Sequence, residues 1–162
     1  MAQPDPWKQV PRAKRIVVKI GSSTLTREGR LRPAKFTSIA RDVARVRAMG
    51  HQVVVVSSGA IAIGSRRLGW DHNGRTIREK QAAAAVGQIG LVELYQRRFA
   101  RHEIHVGQVL LTRAGLEHRE RFLNARHTMR ELLRLGVVPI VNENDTVATE
   151  ETWDTESLSH HR

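Results

Sequence analysis

Three short stretches of this chain bring together residue types that could do chemistry on a charged small molecule. The first is Arg15-Ile16-Val17-Val18-Lys19-Ile20-Gly21-Ser22-Ser23, a β-branched run that delivers a lysine and then a small-residue turn. An ammonium beside the exposed N–H groups of a tight loop makes an anion site, so Lys19, Gly21 and Ser22 suit a phosphate. The second is Ser57-Ser58-Gly59-Ala60, which follows four valines and opens a helix. Ser58, Gly59 and Ala60 would offer a hydroxyl, backbone N–H groups and a helix N-terminus, all suited to phosphate or carboxylate. The third is Asn142-Glu143-Asn144-Asp145. Its amides and carboxylates suit an ammonium. A substrate carrying both signs, such as an amino acid, would satisfy the set.

Each stretch also has a plainer reading. Lys19 alone is an ordinary solvated strand-end lysine, Ser58-Gly59 an ordinary N-cap and tight turn, and Asn142 to Asp145 a simple polar turn. Their coincidence is what favours chemistry.

Familiar motifs fail on single residues. Gly59 and Gly64 have the glycine spacing of a P-loop, yet Ser65-Arg66 stands where lysine and a hydroxyl residue are required. Ser58 sits on a strand-to-helix turn as a hydrolase nucleophile would, but Val56 occupies the place of the elbow glycine. No dinucleotide fingerprint is present. His102 and His105 straddle a helix-to-strand break and His160-His161 lie at the terminus, so no metal-ligand set is predicted.

The elements needed to position these loops follow from periodicity. Apolar β-branched runs at 15–20, 51–57, 106–112 and 137–141 predict strands, with Pro139 hinting at an edge or a bulge in the last. Between them, Pro33 opens a helix closed by Gly50, with Phe36, Ile39, Ala40, Val43 and Val46 on one face. Thr24 to Arg32 predicts a hairpin or lid, and a helix runs from Ala60 toward Leu68. A longer helix from Thr76 to about His102 places Ile77, Ala82, Ala85, Val86, Ile89, Val92, Tyr95 and Phe99 at helical spacing, with Gly87 and Gly90 weakening its middle and permitting close packing there. A further helix from Leu116 to Leu135 turns Phe122, Ala125, Met129, Leu132 and Leu133 inward. Strand–helix alternation of this length predicts an α/β fold, a three-layer αβα sandwich whose mainly parallel sheet is covered on both faces. Ligands of such sheets collect at the carboxyl ends of the strands, where all three stretches fall.

Composition sets the limits. A chain of 162 residues with 40% hydrophobic content can bury one core. The absence of cysteine removes disulfides and thiol chemistry and suits a reducing cytoplasm. No apolar run has membrane-spanning or signal-peptide character, which predicts a cytoplasmic protein with no membrane partner. The formal charge of +11 invites a nucleic-acid reading, but aromatics are only 4% of residues and the arginines are spread over several helices. Nucleic acid is therefore not the expected partner, and solvated helix faces or attraction of small anions account for the charge.

The runs Val17 to Ser23, Val55 to Gly64 and Lys80 to Gln88, then Gly107 to Arg113, Arg119 to Arg126 and Pro139 to Asp145, resemble in this order the glutamate 5-kinases of the amino acid kinase family. The resemblance implies ATP-dependent phosphorylation of the γ-carboxylate of L-glutamate, the first step of proline biosynthesis, with Mg2+ accompanying the nucleotide. It further implies that Lys19 contacts the ATP phosphates and the transferring group, with Gly21 and Ser22 in the phosphate loop. Ser58, Asn142 and Asp145 would hold glutamate, with Gly59 and Ala60 contributing backbone. A homo-oligomer, proline as feedback inhibitor and glutamyl phosphate reductase as pathway partner belong to the same expectation.

The end of the chain departs from the family pattern. A Gly-Asp-Asn-Asp segment is expected there, and Asp154, Thr155 and Glu156 occupy its places with threonine and glutamate as substitutes. The expected organisation is a segment 1–13, the N-terminal part of a kinase domain over 14–150, and a divergent tail 151–162. On this reading the domain is incomplete at its C-terminal side, as in a truncated form, and little turnover is expected of the chain alone. The alternative of a different class is a non-catalytic basic module that binds nucleic acid or a partner chain.

Overall fold

The computed structural model describes residues 10–28 and 30–143. A 3-10 turn at Val10–Arg12 leads into β1 (Arg15–Ile20), the helical turn α1 (Ser22–Leu25) and a small antiparallel hairpin of β2 (Thr26–Arg27) and β3 (Arg30–Leu31). There follow α2 (Pro33–Ala48), β4 (Gln52–Ser57), α3 (Ala60–Arg67), α4 (Ile77–Ala100), β5 (Val106–Leu111), α5 (Arg113–Glu117), α6 (Arg119–Arg134) and β6 (Val138–Glu143). The expected tail 151–162 and most of the N-terminal segment 1–13 lie outside the described residues.

β1, β4, β6 and β5 form, in that spatial order, a four-stranded sheet in which every pairing is parallel. The period of two along each strand divides the apolar residues between two cores. On one face Ile20, Val53, Val55, Val138 and Ile140 pack with Phe36, Ala40 and Val43 of α2, Ile63 of α3 and Leu91, Tyr95 and Phe99 of α4. On the other, Val54, Val109 and Val141 meet Met129, Leu132 and Leu133 of α6. The α/β sandwich expected from the sequence is therefore present, with helices on both faces of a parallel sheet.

Cover is uneven. Val17 of β1 is 61% exposed, against the expectation that both faces of this strand are buried. The apolar cluster on that face joins α6 to β4, β6 and β5 and includes no residue of β1. Pro139 is not at an edge either, since β6 runs between β4 and β5. Its missing N–H is tolerated because the recorded ladder to β4 begins one residue later, at Val55↔Ile140.

Two helices differ from their periodicity. The span 116–135 is broken at His118, whose extended backbone (φ −86°, ψ 115°) separates a single turn capped by Thr112 from α6. Phe122 lies just after the break and is 45% exposed rather than in the core. Helix α4, capped at Thr76 by a reciprocal pair with Glu79, buries Ala83, Ala84, Gly87, Gly90, Leu91, Tyr95 and Phe99. Ile89, expected on the inner face, is 70% exposed. Small residues win the inner face because α3 approaches so closely. A Cβ on Gly64 would stand 1.7 Å from the Ala83 carbonyl oxygen, and one on Gly87 1.7 Å from that of Ala60.

Gly87→Ala should accordingly force the two helices apart. We expect a loss of about 3 kcal/mol, at the upper end of ordinary overpacking costs, and a thermal midpoint lower by about 10 °C. Calorimetry or thermal circular dichroism checks this; an unchanged midpoint would mean that the helices do not touch there.

Candidate functional site

The carboxyl ends of the strands are assembled by register. Lys19 pairs with Val56, which pairs with Val141, placing these three side by side on the α6 face of the sheet. One residue further on, Ile20 pairs with Ser57 and Asn142 with Leu110, and these point to the α4 side. The chain leaves β4 toward α3 on one face and leaves β5 toward α5 and α6 on the other, so the strand ends between them form a crevice where the winding reverses.

A cavity of 640 Å³ occupies that crevice. Lys19, Ser58 and Asn142 all line it, together with Ser57 and with Thr112 and Arg113 beyond β5. Gly21 and Ser22 are not among its lining residues. Nor are Gly59 and Ala60, but a Cβ on Gly59 would lie 3.9 Å from the Ser22 Cα, so the first two loops abut. The Ser58 N–H and hydroxyl both reach the Ile20 carbonyl oxygen, at 3.2 and 3.4 Å, tying the β4–α3 turn to the end of β1. Gly59 precedes α3 with φ +116°, a left-handed conformation that a side chain would strain. Ala60 is buried at the start of α3, so only its backbone could serve a ligand.

Asn142 departs from expectation. It is not in a loop after the sheet but inside β6, 5% exposed, with its Nδ2 donating to Gln88 Oε1 of α4 at 3.1 Å. Likewise Ser22 begins a helical turn, α1, rather than an open loop. Asp145, Asp154, Thr155 and Glu156 lie outside the described residues.

Helix α4 makes a second such contact two turns on. Tyr95 is fully buried and its hydroxyl lies 2.8 Å from Ser57 Oγ, directly beneath the β4–α3 turn. Burial pushes the phenol up to about 12, with the Ser57 hydrogen bond opposing the shift. Sequence reading assigned no role to Gln88, Ser57, Tyr95, Thr112 or Arg113. Gln88 stands at the end of one of the matched runs, but nothing in its spacing says that it faces Asn142. Among the described residues no group of three His, Asp or Glu gathers to hold a metal ion, and no helix is long and apolar enough to cross a membrane.

Residues 14–159 match the model of the amino acid kinase family. The chain belongs to that family. Glutamate 5-kinases from Burkholderia lata and Paraburkholderia phytofirmans are each 58% identical to it over 140 residues, and that of Burkholderia ambifaria 57%. Each alignment covers 86% of this chain and 38% of the relative, so the kinase-family chain spans well under half the length of the curated relatives it matches.

Tyr95 is the chain's single tyrosine, so its ionisation can be followed directly by tyrosinate absorbance. Because its folded pKa is raised from 10 to about 12, its contribution is fully present below pH 10 and is lost as pH rises toward 12. The loss should amount to about 2–3 kcal/mol at most. Tyr95→Phe should remove this alkaline component while costing about 1–2 kcal/mol at neutral pH, because Ser57 Oγ loses its partner. A wild-type tyrosinate transition near pH 10, uncoupled from unfolding, would contradict the burial.

Proposed function

We propose that this chain carries the amino-acid side of a glutamate 5-kinase site and transfers, or forms part of an enzyme that transfers, the γ-phosphoryl group of ATP to the γ-carboxylate of L-glutamate. The product would be L-glutamyl 5-phosphate, the opening intermediate of proline synthesis. The observation that carries the reading is the shared cavity: residues far apart in sequence, Lys19, Ser58 and Asn142, line one recess at the switch point of the sheet. Support comes also from the 58% identity to a glutamate 5-kinase over 140 residues.

The division of labour follows from charge. Lys19, with the N–H groups of Gly21 and Ser22 nearby, would hold the phosphate chain, and Lys19 would neutralise the transferring group. Ser58 and the backbone of Gly59 and Ala60 would receive a carboxylate of glutamate, and Asn142, with Asp145, its ammonium. The γ-carboxylate is already ionised at neutral pH, so its oxygen attacks the γ-phosphorus as the bond to ADP breaks and no proton moves. Positioning and charge neutralisation then do the work, and a general base has no task. Mg2+ would accompany the nucleotide and supply further neutralisation of its phosphate oxygens. Proline feedback, an oligomeric state and a cytoplasmic site of action belong to the same proposal.

The test is phosphoryl transfer from ATP to L-glutamate with Mg2+, on this chain and on a version extended with the remaining length found in the curated relatives. In the active form Lys19→Ala should lower kcat by at least about 100-fold with little change in the glutamate KM. An undiminished kcat would remove Lys19 from the mechanism. Ser58→Ala should act on the KM for glutamate instead, and an unaltered glutamate dependence would count against its contact.

A further inference from the structure

Among the described residues three hydroxyls line the cavity, and they are not equally free to serve a ligand. Ser57 is paired with Tyr95 at 2.8 Å, and the Ser58 hydroxyl donates to the Ile20 carbonyl oxygen at 3.4 Å. Thr112 differs. Its Oγ1 accepts the Gly115 N–H at 3.0 Å, which occupies one lone pair and leaves the hydroxyl proton without an acceptor among the described residues. Gly115 keeps that oxygen uncrowded, since a Cβ there would stand 2.9 Å from it. Arg113 brings a cation to the same end of the cavity, and among the described residues no carboxylate lines any part of it. The ligand group that fits this end is an anion.

The spatial order β1, β4, β6, β5 fixes where that end lies. Neighbouring strands are about 4.8 Å apart, so β5 stands about 14 Å across the sheet from β1. With the Lys19 side chain rising out of the sheet rather than along it, one phosphate or carboxylate does not serve both Lys19 and Thr112. The substrate must lie across the rim, its groups in the order of the strands. The transferring phosphoryl belongs at Lys19 on β1, and the γ-carboxylate that attacks it at Ser58, whose turn is tied to the end of β1. The carbon chain then crosses β6, and the second carboxylate, on the α-carbon, arrives beyond β5. Resting on the amino-acid reading above, we propose that Thr112 is a further substrate-binding residue: its hydroxyl donates to the α-carboxylate and so selects an α-amino acid over an amine that lacks that group.

The test uses 4-aminobutyrate, which is glutamate without its α-carboxylate. Wild type, Thr112→Ser and Thr112→Asp are titrated with L-glutamate and with 4-aminobutyrate, and backbone amides are followed by NMR. Serine keeps both the donor and the cap. Aspartate keeps the cap but offers no proton and repels a carboxylate, so T112D separates ligand binding from local stability, which thermal circular dichroism checks. Wild type and T112S should prefer L-glutamate by about tenfold or more, the worth of one hydrogen bond to a charged group. L-Glutamate, and not 4-aminobutyrate, should shift the Gly115 amide, which reports on the Thr112 oxygen. T112D should lose the preference. A preference undiminished in folded T112D, or one lost in folded T112S, overturns the inference. Equal binding of the two ligands by wild type overturns it while leaving the amino-acid reading in place, and binding of neither refutes that reading and this inference with it.

Discussion

The close approach of α3 and α4 is the constraint on which the rest of the structure depends. Where Gly64 faces Ala83 and Gly87 faces Ala60, neither glycine can carry a side chain, so the two helix backbones touch. This contact sets how far α4 sits from the sheet and which of its residues face inward. Tyr95 then falls beneath Ser57, and Gln88 beside Asn142. Moving α4 outward by the width of a methyl group would break both hydrogen bonds. Glycine at these positions weakens the helix locally, but the packing it permits is worth more than its cost in propensity.

The sheet supplies the other half of the geometry. Parallel register brings Lys19, Val56 and Val141 into one row and sends Ser57 and Asn142 to the opposite face. A cavity at the rim therefore receives a cation from one side of the sheet and fixed polar groups from the other, with apolar walls at Val56, Leu111 and Leu116. Low local polarity strengthens each charged contact made there. The exposed arginines are spent differently: Arg97 with Glu93, Arg134 with Glu131 and Arg113 with Glu117 form pairs along solvated helix faces, consistent with scattered rather than striped basic charge.

Much of this was legible in the sequence because it depends on local rules. β-branched runs, Pro33 at a helix start and the Ser57 to Ala60 turn each announce themselves within a few residues, and the strand-end positions of Lys19 and of that turn follow from alternation alone. What was not legible depends on distance. The inner face of α4 was half legible: Gly87 and Gly90 announced close packing, which Gly87 makes against α3, but apolar spacing favoured Ile89, which is exposed. Pro139 suggested an edge because a missing N–H is visible in sequence, while the point at which a neighbouring ladder begins is not. Val17 was assigned to a buried strand by residue type and Phe122 to an inner helix face by spacing, yet they are 61% and 45% exposed. Gln88 could be found only once β6 was seen to pass beside α4.

The central claim is that the recess between β1, β4 and β6 is built for an amino acid. Titrating the isotope-labelled chain with L-glutamate and following backbone and side-chain amides by NMR tests it most directly. The account predicts saturable shifts concentrated at Ser58, Gly59, Asn142 and the end of β1. No response to L-glutamate, or shifts gathered instead around Arg47, His51 and His102 at the opposite end of the sheet, would contradict it.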